Sequence, residues 1–406
     1  DSDESRGLGD VYKRQTPHAL GQWVDEMLQP IVKAQDAYFK DTFELKGELD
    51  KRGVGWMYSL LTCDAVSMYT NIDTEDCISR LSTFLLDTET QAKFPHYNPK
   101  ALIAAIKIVM RNNRMKFGDI FVRQLIGIAM GMSPAPTIAN LYVAIHEKAK
   151  IIGKFDSLSY YRRFIDDGFA IWKHHPDPDI DAANYKSFQD AIRGGGLDWT
   201  FTKRAKQVDF MDLTITIEDN KLSTNLFQKP LALHLFIPPH SCHPKKCFKG
   251  LVTGMTLRIH RLCSHQRDID HWTKQFYTHL LDRGYHREVI VPLLNSAIES
   301  STAYLATSEA YRQLQKEKKA RGNNKVFFKL KYHPFDPDSS IIQQLWRDCV
   351  VQPPGMPHLT SLCNSLGENI RTDRLCIAYS RYHNIGNLLS YRKICNRPGP
   401  KVSSLL

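Results

Sequence analysis

The run YYRRFIDDGFAIW, Tyr160 to Trp172, constrains the fold more than any other part of the chain. Two stretches rich in β-branched and aromatic residues flank Asp166-Asp167-Gly168, a hairpin-like turn signal. The reading is two short antiparallel strands with a pair of carboxylates at their turn. A second apolar run, Trp56 to Met68, reads as a buried strand that delivers Asp64 near its end. Aspartates gathered in a partly dehydrated place repel one another strongly. A hard divalent cation such as Mg²⁺ relieves that repulsion, and such ions take carboxylates together with substrate phosphates. Two of them can activate an attacking hydroxyl and stabilise a leaving phosphate oxygen. An Asp-Asp-Gly turn alone is also an ordinary surface turn, so the surroundings decide.

Composition narrows the surroundings. The chain has 406 residues, 54 Lys+Arg against 43 Asp+Glu, and a formal charge of +11, a balance that favours polyanionic partners. Nine scattered cysteines do not form a secreted disulfide framework, and a reducing compartment fits better. Gln124 to His146 is uncharged and long enough to span a bilayer. Gly127, Gly131, Pro134, Pro136 and Asn140 interrupt it, which excludes a membrane helix.

Periodicity suggests further elements. Trp23 to Lys46 reads as an amphipathic helix with a break near Pro30. Asn98-Pro99 caps a helix to Val109, and Phe117 to Ala129 suggests strands. Pro136 opens a helix over Thr137 to Lys150, Val208 to Ile217 alternates as one strand, and Arg267 to Gly284 is helical with Gly284 as its stop. His286 to Arg321 reads as largely helical, 322–324 as a linker and Ser339 to Val350 as a short helix. Asn220 to Arg267 holds no acidic residue but carries Lys221, Lys229, Lys245, Lys246, Lys249, Arg258, Arg261 and Arg267, a composition suited to a duplex backbone. Arg371 to Lys401 is also basic, with Asp373 its only acid. His240, Cys242, His243, Cys247, Cys263 and His265 are of zinc-ligand type, but the paired C-x₂-C spacing is absent.

Four segments stand in one order: DAVSMYTNI from Asp64, QLIGIAMGMSPAPTIANLYV from Gln124, YYRRFIDDGFAIW from Tyr160, and FMDLTI from Phe210. Together they resemble the palm motifs of reverse transcriptases, most closely those of Penelope-like retroelements. HSCHPKKCFKGLVTGMTLRIHRLCS from His240 resembles that group's thumb, and RTDRLCIAYSRYHNIGNLL from Arg371 the end of its polymerase part. The likeness runs from about Thr16 to about Arg397. Residues 5–15, SRGLGDVYKRQ, resemble a translated sequencing adapter, and Asp1 to Gln15 are set apart on that account.

The resemblance implies an α+β right-hand polymerase with an antiparallel palm sheet, partial fingers and a mostly helical thumb. It divides the chain into 16–232 (palm with partial fingers), 233–325 (thumb) and 326–406 (a basic extension). It implies an RNA-directed DNA polymerase that uses an RNA template, a DNA primer and deoxynucleotides, with two Mg²⁺ ions, or Mn²⁺ in their place. Asp64 and Asp166 would hold the metals, the Ala65 carbonyl would complete their shell, and Asp167 would support the site. Tyr69 would pack under the sugar and exclude a 2′-hydroxyl, which sets this reading apart from an RNA polymerase on a similar palm. A core tyrosine is the plainer reading. Gln124, Gly131 and Asn140 would meet the template and incoming base pair. Lys203 would protonate the leaving pyrophosphate, with Lys206 an equal rival. Lys245, Lys246, Lys249, Arg258 and Arg261 would grip nucleic acid. A nuclear location is the family expectation. The basic fingers residues expected ahead of Asp64 and a GIY-YIG nuclease are not seen, and a decayed, non-catalytic nucleic-acid-binding copy is the alternative.

Overall fold

The computed structural model describes residues 17–117, 120–241, 243, 245–305, 325–331, 339–352, 355, 358, 361 and 371–380. The remaining residues, 1–16, 306–324 and 381–406 among them together with Cys242, lie outside the described residues with the expectations that fall on them. In chain order the elements begin with α1 (Pro17–Lys33), α2 (Thr42–Leu49), β1 (Tyr58–Ala65), α3 (Met68–Asn71), α4 (Thr74–Leu86), α5 (Thr88–Lys93) and α6 (Pro99–Arg111). Next come β2 (Arg114–Phe117), β3 (Ile120–Arg123), α7 (Ala135–Lys150), β4 (Leu158–Phe164), β5 (Asp167–Lys173), α8 (Pro178–Arg193) and β6 (Trp199–Phe201). After β7 (Gln207–Phe210), β8 (Leu213–Glu218) and β9 (Lys221–Leu226) the chain is helical: α9 (Lys245–Leu262), α10 (Gln266–Asp282) and α11 (Arg287–Leu305). Finally β10 (Lys325–Lys331), α12 (Ser339–Trp346) and β11 (Arg371–Ser380) form a parallel strand pair around a helix.

The central sheet is antiparallel, in the order β4-β5-β1-β6. Alternation along β1 separates its faces. Leu61 and Cys63, with Ala170 and Trp172 of β5, join a buried cluster with Val24 and Leu28 of α1, Leu81 of α4, Ile106 of α6, Leu141 and Tyr142 of α7 and Phe188 of α8. On the other side Phe169 meets Phe210 of β7, and Phe39 meets both Phe164 and Phe210. β5 is therefore buried on both faces, which explains its unbroken apolar run. Gly168 is forced by close approach: opposite Cys63 in the ladder, a Cβ there would lie 2.5 Å from Cys63 Sγ.

Several expectations are corrected. Pro30 lies inside α1, and the break comes later, between Lys33 and Thr42. The single strand expected over Val208–Ile217 is a hairpin, β7–β8, turned at Met211 with φ of 53°. Of Phe117–Ala129 only β3 and the end of β2 are strand, and 124–134 is loop. The cap at Asn98 forms as expected, its side chain accepting from the Ala101 N–H.

Two compact units are distinguishable. One comprises the residues up to Ala232 with Leu262–Asp268, and the other comprises Leu233–Arg261 with the residues from Ile269 on. Among the described residues no helix is long and apolar enough to cross a membrane.

Candidate active site

The first unit brings the three aspartates to one place. Asp64 is opposite Asp167 in the β1–β5 ladder, so the two side chains project from the same face. Asp166 occupies the β4–β5 turn, and its carbonyl accepts from the Ala65 N–H at 3.0 Å. Burial pushes the Asp167 carboxyl up to about 6, and the neighbouring charges of Asp166 and Asp64 add to the rise. Burial and the charge of Asp166 also raise Asp64, while a hydrogen bond shared with Asp167 works the other way. The cation that opposes the rise at Asp167 is Lys229, in the loop after β9.

Tyr69 stands on α3, the single helical turn that follows β1. Its hydroxyl is raised to about 12 by burial and by the nearby charge of Asp166. The Tyr69 carbonyl accepts from the Ile128 N–H at 2.6 Å, and the Gly127 N–H donates to the Ile72 carbonyl. Gly127 has φ of 89°, and a Cβ there would lie 2.7 Å from the Tyr69 carbonyl oxygen. The 124–134 loop therefore clamps the turn that carries Tyr69. Gln124 is part of the clamp, its Nε2 donating to the Ile126 carbonyl at 2.9 Å. Gly131 lies in an exposed turn with φ of 95°.

Other expected residues are placed differently. Asn140 is buried in α7, and both its side-chain and backbone oxygens accept from Arg163. It lies behind the carboxylate turn, bonded to protein, rather than at an open surface. Lys206 donates to the carbonyls of Trp56 and Tyr58, at the end of β1 opposite Asp64. Arg204 is committed to Asp181 at 2.7 Å. Lys203, immediately before Arg204, is exposed. Lys245, Lys246 and Lys249 lie in the first turns of α9, with Arg258 and Arg261 in its last turns, all outside the unit that holds the carboxylates.

Of the zinc-type residues, Cys263 is buried with its thiol toward Asn225, and His265 pairs with Glu218 at 3.4 Å. Among the described residues no group of three or more His, Cys, Asp and Glu side chains is arranged to hold a metal ion by itself. Three mutually repelling carboxylates do suit divalent ions whose remaining ligands come from a phosphate-bearing substrate.

Sequence reasoning did not foresee Lys229 near Asp167, Gly127 against the Tyr69 turn, or Arg163 at the Ile165 carbonyl. Gly127 alone had a local signal, a glycine inside an apolar run.

A family profile, the animal helix-turn-helix domain, matches residues 235–293, which take in α9, α10 and the start of α11. No curated protein sequence matches the chain. Among solved structures the chain is similar to telomerase from Candida albicans in complex with a fragment of telomeric RNA. The identity is 11%, the cover 72% of this chain and 52% of that chain, and the TM-score 0.50. Apo telomerase from Candida tropicalis matches at 12% identity, over 72% of this chain and 54% of that one, with a TM-score of 0.40. The RNA polymerase complex inside a dsRNA virus matches at 12% identity, over 64% and 24%, with a TM-score of 0.44. The first of these carries the fold: a mixed α+β chain with antiparallel sheets, of the right-hand polymerase kind. The chain spans about half the length of the telomerase chains it matches.

Proposed function

We propose that this chain is the polymerase part of a retroelement reverse transcriptase of the Penelope-like kind, an RNA-directed DNA polymerase. One observation carries the proposal: Asp64 and Asp167 face one another across an antiparallel ladder with Asp166 at the adjoining turn, and Lys229 only partly offsets their crowding. The order of the four palm-like segments supports the same reading. Asp64 and Asp166, with the Ala65 carbonyl, would hold two Mg²⁺ ions, or Mn²⁺. Bound there, the ions supply Lewis-acid activation of a primer 3′-hydroxyl and charge stabilisation at the leaving phosphate oxygen.

The protein's own groups do the rest. Asp167, opposite Asp64 in the ladder, would support it at the site. The Tyr69 ring, clamped by the Gly127–Ile128 segment, closes the space where a 2′-hydroxyl would sit. Gln124 and Gly131 shape the loop that would face the template and incoming base pair. Lys203 is the basic side chain of its loop left free to give a proton to the departing pyrophosphate, since Arg204 and Lys206 are bonded elsewhere. Lys245, Lys246, Lys249, Arg258 and Arg261 of α9, inside the helix-turn-helix match, would contact the duplex backbone of an RNA template and a DNA primer.

The test is primer extension by the full chain on RNA and DNA templates, with deoxynucleotides and ribonucleotides offered separately. The expected result is Mg²⁺-dependent deoxynucleotide addition on RNA, with Tyr69→Ala admitting ribonucleotides. Preferential ribonucleotide addition by the wild type would mean an RNA polymerase. Tight primer–template binding with no addition would mean a non-catalytic binding protein.

A further inference from the structure

Behind the carboxylates lies a second charged cluster that the proposed chemistry does not use. Arg163 is 3% exposed, and every N–H of its guanidinium has an acceptor. Nε donates to Glu147 Oε1 at 2.7 Å and Nη2 to Glu147 Oε2 at 3.0 Å, the planar two-pronged contact that Arg makes best. Nη2 also donates to the Asn140 carbonyl at 3.1 Å, and Nη1 to Asn140 Oδ1 at 2.9 Å. The remaining Nη1 hydrogen goes to the carbonyl of Ile165. Glu147 is itself buried and accepts a further bond from the Tyr161 hydroxyl.

The Ile165 contact gives the cluster its meaning. Ile165 immediately precedes Asp166 and has φ of 56°, in the left-handed region that a β-branched residue strongly disfavours. Such a conformation persists only when its surroundings over-determine it. Here Arg163 supplies the restraint from within the same strand. Its backbone N–H is fixed to the Ala37 carbonyl, and its side chain reaches α7 through Asn140 and Glu147. A buried Arg–Glu pair with no other task adds little net stability over an apolar pair, so the directional bond to the turn is what distinguishes this one.

We propose that Arg163, held by Glu147 and Asn140, is a positioning residue that fixes the Ile165–Asp166–Asp167 turn so that Asp166 and Asp64 can share divalent cations. The proposal rests on the polymerase reading for its consequence and on geometry alone for its mechanism. It predicts that loosening the cluster weakens cation binding at the turn in molecules that remain folded. Arg163→Lys keeps the charge but loses the fork. Asn140→Ala removes one acceptor and leaves the Arg163–Glu147 pair intact, so it is the milder variant should Arg163→Lys fail to fold.

Mn²⁺ binding to the full chain is measured by electron paramagnetic resonance of the free ion, beside circular dichroism, for wild type, Asp166→Asn and both variants. Primer extension is followed as a function of Mg²⁺ on the same samples. The expected result is a wild-type site abolished by Asp166→Asn, weakened on the order of tenfold by Arg163→Lys and severalfold by Asn140→Ala, with half-saturating Mg²⁺ raised in parallel. Unchanged Mn²⁺ affinity in a folded variant overturns the proposal, as does a wild-type site indifferent to Asp166→Asn. Wild type that binds Mn²⁺ as expected but extends no primer sinks the polymerase reading and leaves the positioning role standing.

Discussion

The two ends of β5 carry carboxylates in opposite circumstances. At its start, Asp167 faces Asp64 beside Asp166, and burial together with the neighbouring charges drives the carboxyls of Asp167 and Asp64 up. Just beyond its other end, Asp181 of α8 is buried and saturated with donors. They are Trp172 Nε1 at 3.0 Å, His174 Nδ1 at 3.0 Å, the His175 N–H at 3.1 Å and Arg204 Nη1 at 2.7 Å. Burial alone would raise Asp181, but these bonds outweigh it and hold the carboxyl well below the usual range. Asp181 is finished by the protein, tying β5, α8 and the loop after β6 together. The Asp64–Asp166–Asp167 group is left short of positive charge, with Lys229 only a partial counterweight. Asp181 is satisfied within the fold; on the proposed function, the other three are satisfied by a cation from outside it.

Four changes sharpen or break that contrast. Asp166→Asn should lower primer extension on the order of a thousandfold, with primer–template affinity little changed; rates measured beside filter binding check both. Asp181→Asn should do the reverse. It leaves the half-buried Arg204 without its charge partner and should cost about 2 kcal/mol in urea unfolding, a figure discounted for the partial exposure of Arg204, while activity per folded molecule is kept. Because Asp181 is depressed in the folded state, its contribution is present above the unfolded carboxylate range and fades as the pH falls below about 4.

Asp167→Asn should stabilise the cation-free protein at pH 8 by about 1 kcal/mol, a figure discounted for the partial exposure of the site. The sign follows from a folded carboxyl raised to about 6. The wild-type fold loses stability as the pH rises from about 4 through 6, so the advantage of Asn should vanish in acid. Thermal melts across that range in a chelating buffer decide it. The smallest effect is expected of Lys229→Ala. Removing the cation that lowers Asp167 should move the acid limb of the pH–rate profile upward by about half a pH unit, leaving the plateau rate nearly intact.

The contrast also marks what could be read from the sequence. Asp64, Asp166 and Asp167 were legible because each stands at the end of an apolar strand, and period-two alternation fixes which face such a residue takes. Lys229 was not. It lies in a loop within a long basic tract, and only the return of the chain after β9 brings it to Asp167. Arg163 was hidden for another reason. Arg162 and Arg163 look alike in sequence, yet the alternation of β4 turns Arg163 inward to meet Glu147, which the sequence shows as one acid among the charges ending α7. Pro30 misled in the opposite direction, since a proline is a helix-breaking signal and α1 nevertheless runs through it. The hairpin at Met211 was invisible because its turn is made by a residue with no turn preference.

The most direct measurement is the Mg²⁺ dependence of melting of the full chain at pH 8, bound to an RNA template and a DNA primer lacking its 3′-hydroxyl, with the next deoxynucleotide present. Wild type should gain several degrees on addition of Mg²⁺, and Asp64→Asn should gain nothing. An equal gain in both proteins, or none in either, would contradict the claim that these carboxylates await a divalent cation.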